Sequence, residues 1–268
     1  MTLRRSEDIM PAPFAWIDIA GGMGTVHTQH GKTPLVKPAH AYRMAKYPVT
    51  NRQYAEFVQA GGYTTERWWT PAGWEARLQG WVYVRGHGHQ IGSAWTEPLY
   101  WHDVERNDAE QPVVGVSWFE AVAYCLWLSD VTGESIMLPS QEQWQYAAQG
   151  EEGRIFPWGN EWDAARCNNS VKPNASRKAS PVRQYEGLGD SLLGLVDMAG
   201  NVCEWCTTEM ESPSIYFEGN AGMRTIRDGA YYMDFIDGFR NDHAAMTATE
   251  GRSTTTGFRL CSKPKTDS

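Results

Sequence analysis

The chain has 268 residues, with 24 Lys and Arg against 32 Asp and Glu, a formal net charge of −8 and only 21% charged residues. This balance argues against a nucleic-acid partner, because phosphate binding needs Lys and Arg clustered on one face. No apolar run approaches the roughly 18 residues of a membrane span, so no membrane partner is expected. With 13 Trp, 12 Tyr, 8 Phe, 26 Gly and 14 Pro, the composition predicts a loop-rich α+β fold pinned by large aromatic side chains and not a helical bundle. The length allows one large irregular domain or two small ones.

The opening stretch MTLRRSEDIMPAPFAW has a short basic start and no apolar h-region, so a cytoplasmic location is expected. Apolar residues then alternate at Phe14, Trp16, Ile17 and Ile19 before Gly21-Gly22, which reads as a strand and turn. AYRMAKYPVTN reads as a second strand closed by Pro48. Thr50 or Asn51 caps a helix running to about Gln59, with Tyr54, Phe57 and Val58 inward and Gly61-Gly62 at its end.

Residues 61–110 are rich in Trp and Gly, and no helical or strand period survives across them. They read as a long ordered insertion whose indoles pack onto the domain. His87, His89 and His102 lie within it, and the RGHGH pattern reads as a solvated turn before it reads as a metal site.

The clearest helix follows, over about 118–131. Ser117 and Glu120 form a capping box, Phe119, Val122, Ala123, Leu126 and Trp127 repeat at three and four positions, and Gly133 stops it. A second helix over 140–149 repeats the device with Ser140, Gln143 and a terminal Gly150. Short strands are predicted at VCEWCT, MRTIRDGAYYM and TGFRLCS. The five Cys, at 125, 167, 203, 206 and 261, are odd in number and scattered, so they form no disulfide framework. Alternation places Cys203 and Cys206 on opposite faces of a strand, against a redox or zinc role.

Six segments carry a family resemblance: KYPVTNRQYAEFV, PVVGVSWFEAVAYCLW, LPSQEQWQYAAQG, FPWGNEWD, GLVDMAGNVCEW and the closing GFR at Gly257, Phe258 and Arg259. In order and spacing they resemble the formylglycine-generating-enzyme (sulfatase-modifying factor) family. The resemblance implies a loop-rich α+β, C-type-lectin-like fold over 1–268, with two main helices and short twisted antiparallel strands. The family's Arg before LP is Met137 here.

The family binds two structural Ca²⁺ ions, and the resemblance carries both ligand sets over. One set falls at Asp197, Gly200, Val202 and Glu204, where carboxylates and turn carbonyls suit a hard cation. The other falls at Asn168, Asn169, Asn174 and Ser176. Asn174 stands where the family has Asp, and Lys172, Arg177 and Lys178 surround it, which weakens that site.

The resemblance also identifies what is missing. Formylglycine-generating enzymes bind copper(I) through two Cys after an RGGS segment, thiolates being soft ligands for that ion. Here the segment is Arg227-Asp228-Gly229-Ala230, and the two Cys positions fall at Met233 and Gly238. No copper is therefore expected, nor formylglycine-generating activity. The iron-binding H-x3-H-x-E motif of the ergothioneine-type relatives is absent from the sequence. A pyoverdine-maturation relative lacks the Cys pair as well, which keeps a divergent metal-dependent oxidase as the alternative.

In place of the Cys pair stands an aromatic run interleaved with short polar residues: Tyr231, Tyr232, Met233, Asp234, Phe235, Ile236, Asp237, Phe239, Arg240, Asn241, Asp242 and His243. Tyr with Asp and Asn gives large contact area and adaptable hydrogen bonds, as in antibody-like surfaces. The run resembles the variable region of diversity-generating-retroelement proteins, although Ala230-Tyr231 replaces their usual Ser-Trp. The segment 227–259 is thus the candidate binding face for a protein or small-molecule ligand, on a non-catalytic module. His243 beside Asp242 reads as surface before it reads as an acid–base group.

Overall fold

The computed structural model describes residues 4–27, 34–84, 88–171, 175, 177–209, 222–227 and 229–264. Its helices are α1 (Ser6–Ile9), α2 (Asn51–Gln59), α3 (Pro71–Gln79), α4 (Trp118–Thr132) and α5 (Gln141–Gln149). Three begin with the same local chemistry. Thr50, Ser117 and Ser140 each accept a hydrogen bond from the backbone N–H three residues on, and Gln53, Glu120 and Gln143 accept one in return. Each cap contributes about 0.5–2 kcal/mol and fixes where its helix starts.

The strands are β1 (Trp16–Ile19), β2 (Thr25–Val26), β3 (Leu35–Val36), β4 (Tyr42–Ala45), β5 (Trp81–Val84), β6 (Gly88–Ile91), β7 (Ile136–Met137), β8 (Cys203–Glu209), β9 (Met223–Arg227), β10 (Ala244–Ala248), β11 (Thr256–Gly257) and β12 (Cys261–Ser262). One antiparallel sheet has the order β1-β4-β12-β7 and another β10-β9-β8-β11, in which β11 runs parallel to β8. The closing strand expected at TGFRLCS is split between them. Thr256 and Gly257 pair with the second sheet, Cys261 and Ser262 with the first, and the wholly buried Phe258, Arg259 and Leu260 cross between. A segment that joins two sheets cannot complete one ladder, which accounts for the difference from the sequence expectation.

The main core lies between the helices and these sheets. Tyr54 stacks on Tyr124 at 5.3 Å, and Phe57, Trp127 and Phe258 pack edge-on or tilted around them. These rings are 4% exposed or less, so their area is removed from water almost completely.

Residues 61–110 are more regular than their composition suggests. They hold a short 3₁₀ turn at Glu66–Trp68, the helix α3 and the β5–β6 hairpin. Helix α3 has no apolar stripe to announce it, yet Thr70 caps it, Pro71 opens it and Gly80 ends it at φ 65°. Trp69 Nε1 donates to Gly62 O, and Trp68 Nε1 to Asp130 Oδ2 on α4. The Arg252 guanidinium lies over Trp95 and donates to Glu120 Oε1 at 3.0 Å, tying the insertion to the domain. Among the described residues no helix is long and apolar enough to cross a membrane.

Candidate ligand-binding site

The aromatic run forms the loop between β9 and β10, and one rung closes it: Arg227 pairs with Ala244 across the antiparallel ladder. Arg227 also clamps the returning chain. Its guanidinium donates to the carbonyls of His243 and Asn241, both at 3.1 Å, and to Gln145 Oε1 on α5 at 2.5 Å. Further in, Tyr231 N donates to Asn201 O, Ser170 N to Met233 O, and Asn241 N to Ile155 O. The loop is therefore tied to three other segments through its backbone.

These ties sort the candidate residues into two sets. Tyr231, Met233 and Phe239 point inward and are 5%, 8% and 0% exposed, so they support the face and do not present to a ligand, contrary to the sequence expectation. Tyr232, Asp234, Phe235, Ile236 and Asp237 stand outward, with Tyr232, Phe235 and Ile236 at 53%, 50% and 42% exposure. A 3₁₀ turn at Ile236–Phe239 breaks the alternation that a strand would impose. Arg240 holds Asp242 through two hydrogen bonds of 2.9 Å. His243 is half-buried, its ring edge-on to Phe235 at 6.2 Å, and its Nδ1 has no partner. Burial, then the nearby Arg227 charge, lowers the His243 pKa, keeping the ring neutral at pH 7.

The positions expected for a copper-binding Cys pair are close in space. A Cβ built on Gly238 would lie 2.7 Å from Met233 Sδ, and one on Gly229 would lie 3.0 Å from the same sulfur. The thioether thus packs against both glycines, and a side chain at 238 would have to displace it and the Phe235 ring. Cys167 is the one thiol in the apolar cluster of Met233 and Phe239. Cys125 belongs to the main core and Cys206 and Cys261 to the core beside α5, while Cys203 belongs to none of these clusters. All five are buried, and none is in a disulfide. Burial pushes the Cys125 and Cys206 thiols well above their ordinary range and Cys261 up to about 12.

The turn at Gly194–Trp205 has several residues with positive φ. Asp197, Gly200 and Asn201 have φ of 55°, 82° and 66°. A side chain at 200 would also strike the Asn168 carbonyl at 2.4 Å. Asn201 Nδ2 donates to Asp197 Oδ2 at 2.8 Å, while the buried Oδ1 has no partner. Burial raises the Asp197 pKa to about 7. This atom fits an oxygen ligand for Ca²⁺. Glu204 fits less well, because both its oxygens receive Arg259 and Oε2 also receives Trp144 Nε1.

The second calcium set is only partly within the described residues, since Asn174 and Ser176 lie outside them. Asn168 Nδ2 donates to Lys178 O and Asn201 Oδ1, and Asn169 Nδ2 to the Ala164 and Cys167 carbonyls. Both amides brace the loop through their nitrogens. His102 is exposed and lies 3.0 Å from Glu97, whereas the side chains of His87 and His89 lie outside the described residues.

Sequence reasoning missed three parts of the site. Arg227 is the clamp, Arg259 is the partner of Glu204, and Trp158 and Trp162 pack at a tilt behind the loop, with Trp162 at 5.0 Å from Phe239. The FPWGNEW motif signalled the last of these without saying what the indoles touch.

Taken together, the two small sheets, the capped helices and the long braced loop define a C-type-lectin-like α+β protein. Residues 11–264 match the sulfatase-modifying factor enzyme 1-like domain, and the chain belongs to that family. It is 31% identical over 250 residues to the inactive C-alpha-formylglycine-generating enzyme 2 of Mus musculus, covering 82% of this chain and 76% of that protein. It is 30% identical over 218 residues to the hercynine oxygenase of Mycolicibacterium smegmatis, covering 73% of this chain and 48% of that protein. Treponema denticola variable protein 1 shares the fold, with a TM-score of 0.62 at 17% identity over 94% of this chain and 95% of that one.

Proposed function

We propose that this protein is a non-catalytic binding module whose ligand face is the outward half of the 231–243 loop. The observation that carries this reading is the packed Met233 thioether against Gly238, at the two positions where the family's copper chemistry needs thiolates. One thioether cannot hold Cu(I) as two thiolates do, nor form a mixed disulfide with substrate. The inactive relative in Mus musculus and the fold shared with a variable protein agree with this reading. Membership of the diversity-generating-retroelement proteins is a narrower form of the same proposal.

A structural Ca²⁺ at Asp197 Oδ1, with the Gly200 and Val202 carbonyls, belongs to the proposal. It would order the turn and perform no chemistry. Five buried cysteines without a disulfide agree with a reducing, cytoplasmic setting.

The hercynine oxygenase relative favours a second reading, a divergent metal-dependent oxidase in the same pocket. Two measurements separate the readings. The chain incubated with Cu(I) or Fe(II) should consume no oxygen above the free-metal control. Selection from a displayed random-peptide library should return binders that are lost on the Tyr232→Ala/Phe235→Ala variant. Metal-dependent oxygen uptake, or binders indifferent to those two residues, would refute the binding module.

A further inference from the structure

We infer that the ligand of this face is a cationic group, specifically a lysine or arginine side chain presented by a protein partner. The inference rests on the binding reading above and names the partner's chemistry.

The charges around the crest decide it. Asp234 and Asp237 are exposed on either side of Phe235 and Ile236, and among the described residues neither is within ion-pair distance of a cation, Arg240 acting on Asp237 only at longer range. Of the nearby cations, Arg240 is paired with Asp242 at 2.9 Å and Arg154 with Glu152 at 2.8 Å, while the Arg227 guanidinium is buried at the base of the loop and turned onto the Asn241 and His243 carbonyls. His243 contributes no positive charge. The exposed cations Arg177 and Lys178 precede Ala179, which packs with Tyr231 at the start of the loop. Among the described residues the crest itself is therefore anionic and aromatic.

A carboxylate pair flanking a half-exposed ring attracts a cation in two ways. The ring face supplies a cation–π contact, and the carboxylates supply charge-assisted hydrogen bonds. A lysine or arginine reaches both at once, because its stem lies along Ile236 and Phe235 while its head meets Asp234 or Asp237. An acidic ligand would face two unpaired carboxylates, and the chain's net charge of −8 adds to that repulsion.

The test is the composition and salt response of the peptides selected on the intact chain. Lysine and arginine should be enriched over aspartate and glutamate relative to the starting library. Asp234→Asn/Asp237→Asn should weaken a selected fluorescein-labelled peptide about 5- to 20-fold, and Phe235→Leu about 2- to 5-fold. Circular dichroism should report both variants folded. Raising salt from 50 to 500 mM should weaken wild-type binding and leave the Asn variant nearly unaffected. Binders that need Phe235 but are neutral or acidic would overturn the cationic assignment and leave the binding face standing. Binders that map elsewhere, or no binders at all, would overturn both.

Discussion

Glu204 and Arg259 are joined by two charge-assisted hydrogen bonds, Nε to Oε2 at 2.6 Å and Nη2 to Oε1 at 2.7 Å, with both side chains wholly buried. The remaining Arg259 donors reach the carbonyls of Ala45, Lys46, Val196 and Asp197, so the guanidinium stitches β4, the Gly194–Trp205 turn and β8 together. Removing one partner leaves the other charge buried without compensation. Arg259→Leu and Glu204→Gln are each expected to cost about 3–5 kcal/mol in urea unfolding. A loss below 1 kcal/mol for either would show that the pair does not organise the turn.

Arg252 ties the Trp-rich insertion down, donating to the carbonyls of Gly115 and Glu97 and to the buried Glu120 carboxylate. Arg252→Ala should destabilise the chain by about 3 kcal/mol, because Glu120 is left as an unpaired buried charge. Limited proteolysis should then cut first within residues 61–110. Unchanged cleavage in that span would place the anchor elsewhere.

Met233 and Gly238 are predicted to be coupled. Gly238→Ala puts a methyl 2.7 Å from the thioether and should cost about 1–3 kcal/mol. With Met233→Ala already present, the same change should cost at least 1 kcal/mol less, a non-additivity of the kind seen between touching side chains. Additive losses would mean the sulfur does not pack against position 238.

Asp197 gives a pH prediction whose sign follows from its raised pKa. In chelator the folded state holds this proton up to about pH 7, whereas the unfolded carboxyl releases it near 3.8. Stability from this group should therefore fall as pH rises from about 4 to about 7, and Asp197→Asn should remove that slope. Ca²⁺ reverses the preference by stabilising the ionised form. At pH 8, Ca²⁺ at ~100 times its Kd should add about 2.7 kcal/mol to the wild type and nothing to Asp197→Ala. Equal melting temperatures in Ca²⁺ and in chelator would remove calcium from the account.

What could be read in the sequence was what local chemistry encodes. The capping boxes at Ser117 and Ser140 place two helix starts and the Thr50-or-Asn51 cap a third, which the structure fixes at Thr50, because the signal sits within four residues of its effect. The Met233–Gly238 register could be counted along the chain. Helix α3 was missed because its caps were present without an apolar stripe. Strand β10 was missed because AAMTA has weak strand propensity and is recruited by its rungs to β9. The division of the loop into buried Tyr231, Met233 and Phe239 and exposed Tyr232 and Phe235 depends on bonds to Asn201, Ser170 and Ile155. Partners that distant leave no periodic trace. The Glu204–Arg259 pair, 55 residues apart, is illegible for the same reason.

The most direct measurement is the affinity of a library-selected peptide for the wild type and for Tyr232→Ala/Phe235→Ala, by fluorescence anisotropy on folded protein. A loss of at least about 10-fold is expected when two exposed aromatic anchors are removed from a binding face. An affinity unchanged within about 2-fold would contradict the proposed binding face, because the loop crest would then contribute nothing to recognition.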